Sequence, residues 1–71
     1  MNPINPRKLL HSKWTAVTPQ NKEKHFLVVE VEYDDDGSVA LCMLEAVINQ
    51  RQSAVNWRDL KNSEHWKQGW R

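Results

Sequence analysis

Phe26-Leu27-Val28-Val29-Glu30-Val31-Glu32-Tyr33, followed by Asp34-Asp35-Asp36-Gly37-Ser38 and Val39-Ala40-Leu41-Cys42-Met43-Leu44-Glu45-Ala46-Val47-Ile48, is the stretch that decides the fold. Two runs rich in β-forming residues flank an Asp-Gly pair, which favours a two-residue hairpin turn because both central positions need positive φ. With Asp36 and Gly37 at the tip, Tyr33 faces Ala40, Val31 faces Cys42, Val29 faces Leu44 and Leu27 faces Ala46. Every member of that face is apolar or aromatic. The other face pairs Glu32 with Leu41, Glu30 with Met43 and Val28 with Glu45, the mixture expected of a partly covered surface. A slip of one residue would exchange the two faces, so the coherence of the apolar set argues for this register.

On the downstream side, a turn at Gln50-Arg51 would bring back a further strand, placing Ala46 opposite Val55 and Leu44 opposite Trp57. Upstream, Lys13-Trp14-Thr15-Ala16-Val17 alternates with Trp14 and Ala16 on one side and reads as a shorter strand. Thr18 to Lys24, opened by Pro19, reads as a polar loop, and Pro3 and Pro6 make the start of the chain an extended lead-in. After Trp57, Arg58-Asp59-Leu60-Lys61 suits a single helical or 3₁₀ turn. Asn62 or Ser63 could then cap a short helix through Trp66, with Trp66 and Trp70, four apart, on one helix face.

A chain of 71 residues makes one domain, and such a chain buries only about 60% of its unfolded surface. A flat sheet of this size would leave an apolar face wet, so the strands must curl over their own core. The expected fold class is therefore all-β: a small SH3-like bent barrel of four to five antiparallel strands with a short C-terminal helical turn. Within a single domain, 1–71, residues 1–11 form the lead-in, 12–57 the barrel and 58–71 the helical turn and Trp-rich tail.

Ten basic and nine acidic residues leave a formal charge of +1, so bulk charge dictates no partner. The near-neutral total is a cancellation: residues 1–25 carry +4, residues 26–45 carry −6 and residues 46–71 carry +3. No apolar run is long enough to cross a membrane, and the opening residues lack the apolar stretch of a secretion signal. The lone Cys42 excludes an internal disulfide. A soluble, intracellular, cytoplasmic protein is expected. Tryptophan is over-represented, supplying four of the six Phe, Trp and Tyr residues.

The Trp-containing segments carry a resemblance. They are Asn5-Pro6-Arg7-Lys8-Leu9-Leu10, Ser12-Lys13-Trp14-Thr15-Ala16-Val17, Lys24-His25-Phe26, Leu44-Glu45-Ala46-Val47, Trp57-Arg58-Asp59-Leu60 and the closing Trp66, Gly69 and Trp70. On these residues, which span nearly the whole chain, the sequence resembles the tryptophan-rich conserved hypothetical proteins, a family of small bacterial proteins forming a domain of unknown function. The three-Asp turn and Cys42 fall outside the pattern. The resemblance implies a bacterial, cytosolic, single-domain protein and transfers no activity onto any residue.

The residues themselves give little support to catalysis. Cys42 falls on the apolar hairpin face opposite Val31, the setting of an inert buried thiol. His11, His25 and His65 are scattered, with no pair at ligand spacing on one element, so no metal site is expected. Asp34, Asp36 and Glu45 occupy positions 1, 3 and 12 of a calcium-loop pattern, but Val39 stands where glycine is required. There is no glycine-rich phosphate loop, and no serine lies in a nucleophile-elbow context. No enzyme, no catalytic residue and no cofactor is expected.

Two interaction readings remain. The outer hairpin face, with Phe26, Val28, Leu41 and Met43 among glutamates, is more apolar than a solvent face requires, and either Ile4, Leu9 and Leu10 cover it or a protein partner does. An acidic rim on such a patch favours a partner bearing basic residues. The alternative is RNA or single-stranded DNA, bound at the basic, Trp-containing termini by Arg58, Lys61, Trp66, Lys67, Trp70 and Arg71, where rings stack on bases and cations meet phosphates. Trp14 and Trp57 read instead as barrel filling. A charge of +1 is far from the strongly basic balance of nucleic-acid domains, which favours the protein partner.

Overall fold

The computed structural model describes residues 2–71; Met1, the first residue of the expected lead-in, lies outside the described residues. Five strands form one antiparallel sheet: β1 (Lys13–Gln20), β2 (Glu23–Tyr33), β3 (Val39–Ala46), β4 (Gln52–Ala54) and β5 (Trp66–Gln68). Their order across the sheet is β4-β3-β2-β1-β5, so the chain runs as a meander and its last strand returns beside the first. The all-β class is as expected. Among the described residues two 3₁₀ helices, Pro6–Lys8 and Trp57–Lys61, accompany the sheet. No helix among the described residues is long and apolar enough to cross a membrane.

The central hairpin departs from the simple register at two points. Its loop has three residues, not two: Asp34 donates its N–H to Ser38 and Gly37 donates back to Asp34. Gly37 at φ 85 takes the left-handed position of this loop type, and Ser38 N–H bonds Asp36 Oδ1 at 2.9 Å. Tyr33 therefore pairs with Val39, and a bulge at Ala40 then restores the expected pairs Glu32↔Leu41, Val31↔Cys42 and Glu30↔Met43. A second bulge, at Val29, breaks the register again, giving Val28↔Leu44, Leu27↔Glu45 and Phe26↔Ala46.

The extra residue at Val29 exchanges the faces of the whole N-terminal half of β2. Val28, expected on the outer face, is completely buried, and Phe26 and Val39 pack against the core. Leu27, expected inside, pairs with Glu45 on the outer face. Leu41 and Met43, beyond the bulge, remain on the outer face and are half-buried. Bulges also bend and twist a strand, which is how an eleven-residue β2 can serve a small curled sheet.

Three further expectations are corrected. Thr18 to Lys24 is not a loop: Asn21 and Lys22, at φ 53 and 63, make a tight two-residue turn between β1 and β2. Two successive left-handed residues match the twist of the flanking strands. The turn before β4 lies at Val47–Gln50, not at Gln50-Arg51, because Ala46 N–H bonds Arg51 C=O and Gln50 at φ 57 closes it. Leu44 thus pairs with Ser53, and Trp57 begins the second 3₁₀ helix instead of extending the sheet. Asn62 does cap a turn, accepting from Glu64 N–H at 2.9 Å. The turn ends at His65, because Trp66 to Gln68 hydrogen-bonds to β1 as strand β5, and sheet pairing overrides the local helix preference.

The lead-in is likewise only partly extended. Asn5 caps Pro6–Lys8 through its side chain, and Leu9 then enters the core. Asn2 is tied to Lys61, Leu60 and Trp66 carbonyls at 2.7 to 2.8 Å, and Gln68 Nε2 donates to Pro3 C=O. The N-terminal segment therefore packs on the inner face of the sheet, and Leu10 stays exposed. The core it completes is Leu9, Trp14, Val28, Cys42, Leu44 and Leu60. Trp14 buries its ring and donates its indole N–H to Ser12 Oγ at 2.8 Å. With so few buried side chains, a Leu60→Ala cavity, at about 2 to 5 kcal/mol, would remove much of the few kcal/mol such a domain has.

Candidate aromatic cleft

β1 lies between β5 and β2 and carries paired residues to the inner face from both: Ala16 faces Trp66 of β5, and Trp14 faces Phe26 of β2. Because directly paired residues share a face, Phe26 and Trp66 become neighbours, with ring centroids 5.3 Å apart and planes at 85°. Edge-to-face pairing of this kind satisfies the ring quadrupoles. Together with Ala16 and Thr18 the two rings border a cleft of about 330 Å³, and Glu23, Asp59 and His65 supply its polar wall.

Asp59 is the organising group of that wall. It sits on the second 3₁₀ helix, whose backbone and the Asn62 turn carry the chain back so that His65 and Trp66 both reach the same carboxylate. Oδ1 meets His65 Nδ1 at 2.9 Å, and Oδ2 accepts the Trp66 indole N–H at 3.0 Å. The hydrogen bond to His65 holds the Asp59 carboxyl below the ordinary carboxylate range; partial burial opposes this and the Trp66 N–H reinforces it. Asp59 thus fixes the plane of Trp66 and presents a negative charge at the edge of the rings.

Glu23, at the start of β2, is 4% exposed. Arg51 grips it with Nε and Nη2, and Asn49 Nδ2 adds a bond at 3.0 Å. These donors, Arg51 first, lower its pKa from 4.5 to about 2. The arrangement pins the β3–β4 turn to the turn end of the β1–β2 hairpin and leaves a carboxylate already bound by three donors in the cleft wall.

The residues assigned to the two interaction surfaces are redistributed. Phe26 leaves the outer face for the cleft, Val28 is core and is unavailable to a partner, and Leu41 and Met43 stay outside. Of the proposed nucleic-acid set, Trp66 is a cleft wall. Arg58 and Lys61 flank Trp57 on the 3₁₀ helix, with Lys61 Nζ 4.8 Å from its ring centroid. Trp70 and Arg71 lie across the outer face: Trp70 Nε1 donates to Phe26 C=O, and Arg71 N–H to Thr15 Oγ1, each at 2.9 Å. Lys13 Nζ stands 4.8 Å over the Trp70 ring, and the neighbouring His25 has a buried Nε2 without a partner. Lys67 pairs with Thr15 on that face. The six therefore occupy three places and form no single surface.

Asp59, His65, Glu23 and Thr18 were missed as site residues. Their only signal is that Asn62 predicts a turn between Asp59 and His65, a spacing of six that no regular element brings together. Cys42 is buried, and burial pushes its thiol pKa up. Among the described residues no three His, Cys, Asp or Glu side chains converge in a metal-holding group.

Residues 12–71 match the family model described as Tryptophan-rich protein (DUF2389). The chain belongs to this family. The match includes every strand and the whole cleft, and it agrees with the resemblance carried by the Trp-containing segments. Neither the curated proteins nor the solved structures contain a match to the chain.

Proposed function

We propose that this member of the tryptophan-rich family is a small non-enzymatic interaction module that binds a protein partner through an aromatic surface. The observation that carries the reading is the Phe26–Trp66 pair opening into a cleft beside an ionised Asp59. At about 330 Å³ the cleft lies at the lower end of the range of ligand sites, about 300 to 1,000 Å³, and suits one or two side chains of a partner. The strand order, the two bulges in the central hairpin and the return of β5 beside β1 support the finer architecture, a bent SH3-like barrel. A free buried thiol fits the reducing interior of a bacterial cell, and we place the protein in the cytoplasm.

A second reading has an observation of its own. Trp70 is 44% exposed with Lys13 over its ring, and Arg71 and Lys67 lie close by in the chain. A half-open indole among cations could stack a base of RNA or single-stranded DNA. The two readings differ in what survives nuclease and salt. The full chain, tagged and recovered from native cells, should retain a protein after nuclease treatment, and Thr18→Arg, at the cleft mouth, should release it. Retention of nucleic acid alone, lost as salt rises and after Trp70→Ala, would transfer the function to the outer face.

A further inference from the structure

We infer that the cleft receives the side chain of a lysine from the partner, an assignment that rests on the protein-binding reading and specifies its chemistry. Three observations converge on a cation. The Phe26 and Trp66 rings pack edge to face against each other and both border the cleft, so a group seated there meets the ring surface that their mutual contact leaves open. An ammonium is attracted to the ring face by the quadrupole. Asp59 lies at the rim with a side chain 40% exposed, so its oxygens keep lone pairs open to the cleft beyond those used by His65 and Trp66. None of the residues that border the cleft is a lysine or an arginine, while two are carboxylates, Glu23 and Asp59.

Arg51 offsets the charge of Glu23, so the pattern rests on Asp59, whose negative charge repels a phosphate and favours a positive group. Glu23 is already bound by Arg51 and Asn49, so Asp59 is the carboxylate left to recognise a newcomer. Lysine matches the shape. Its four-carbon stem can lie along Ala16 and Phe26 while its compact ammonium reaches Asp59, whereas the broad planar guanidinium of arginine prefers parallel stacking on a ring. Thr18 and Gln20, exposed at the mouth, are placed to meet the main chain on either side of that lysine.

The test is titration of the full chain with an acetylated, amidated pentapeptide of glycine and alanine carrying a central lysine, and with the same peptide carrying norleucine. The readout is the NMR position of the Trp66 indole N–H. The lysine peptide should shift that signal, the norleucine peptide should not, and Asp59→Asn should weaken the lysine peptide about five- to tenfold. Thr18→Lys leaves the Asp59 network intact and should weaken binding at least about fivefold by placing an ammonium of its own at the mouth. Equal shifts from lysine and norleucine overturn the lysine assignment while leaving a protein-binding cleft. No shift from either peptide also overturns it, and nuclease-resistant capture then judges the broader reading separately. A Trp66 shift caused by a single-stranded oligonucleotide and not by the lysine peptide overturns both.

Discussion

Trp66 and Trp70, four residues apart, stand on opposite faces of one sheet. Trp66 shares the inner face with Ala16 and Phe26, whereas Trp70 lies outside with Lys13 and His25. Gly69, at φ 80, turns the chain between them, and its N–H and C=O bond Lys13 C=O and Thr15 Oγ1. The two indoles have different work: one closes the core and walls the cleft, and the other latches the C-terminus across β1.

Truncating them should therefore give unequal losses. Trp66→Ala removes a half-buried ring, its bond to Asp59 and its contact with Phe26, and should cost about 2 to 4 kcal/mol. Trp70→Ala removes an exposed ring and one bond to Phe26 C=O, and should cost about 1 kcal/mol. Urea unfolding of the two variants checks the order, and equal losses would show that the outer latch matters as much as the cleft wall.

The bulge at Val29 makes a second pair of variants diverge. Val28→Asp puts a charge into the middle of the core, where no partner awaits it, and should abolish folding because the cost exceeds the few kcal/mol available. Met43→Asp, on the outer face, should leave a dispersed NMR spectrum and cost about 1 kcal/mol or less. Collapse of Met43→Asp would show the outer face to be core as well.

How much of this the sequence disclosed depends on the range of the forces involved. The all-β class, the central hairpin and the burial of Trp14 were legible because alternation acts locally, whereas the expected pairing of Val31 with Cys42 holds only because the bulge at Ala40 offsets the extra loop residue. The face of Val28 was not, because one inserted residue at Val29 reverses the parity of everything before it, and bulges have no fixed sequence mark. The Asn21-Lys22 turn escaped notice because lysine stands where glycine usually does. The cleft escaped because Phe26, Asp59, His65 and Trp66 come together only once β5 pairs with β1, and that pairing overrode the helix that Asn62 had begun.

Lys22 offers a gain in stability. It holds φ 63, a left-handed conformation that costs a side chain with a Cβ about 1 to 2 kcal/mol. Lys22→Gly removes that strain and creates the Asn-Gly pair favoured in such turns, although glycine also raises the entropy of the unfolded chain by up to about 1 kcal/mol. The net expectation is stabilisation of about 0.5 kcal/mol, read as a rise in Tm of a few degrees. A fall would mean that the exposed lysine makes a contact worth more than the strain.

Glu23 gives the domain an acid-sensitive clasp. Its carboxylate is gripped by Arg51 and Asn49, which lower its pKa from 4.5 to about 2. Between these values the unfolded chain binds more protons at this site than the folded one, so stability rises with pH there. The contribution is fully present above about pH 4.5 and is lost progressively as pH falls toward 2. Glu23→Gln keeps the shape and removes the titration. At neutral pH the variant should be less stable than the parent, since Arg51 loses its ionic partner, and the difference should narrow as pH drops through that window. Urea unfolding of parent and variant at matched pH values measures it. Asp59, held low by His65, titrates with the same sign, so Glu23→Gln in an Asp59→Asn background separates the two clasps: a gap that no longer changes between pH 4.5 and 2 would show that Glu23 has no share in the acid response.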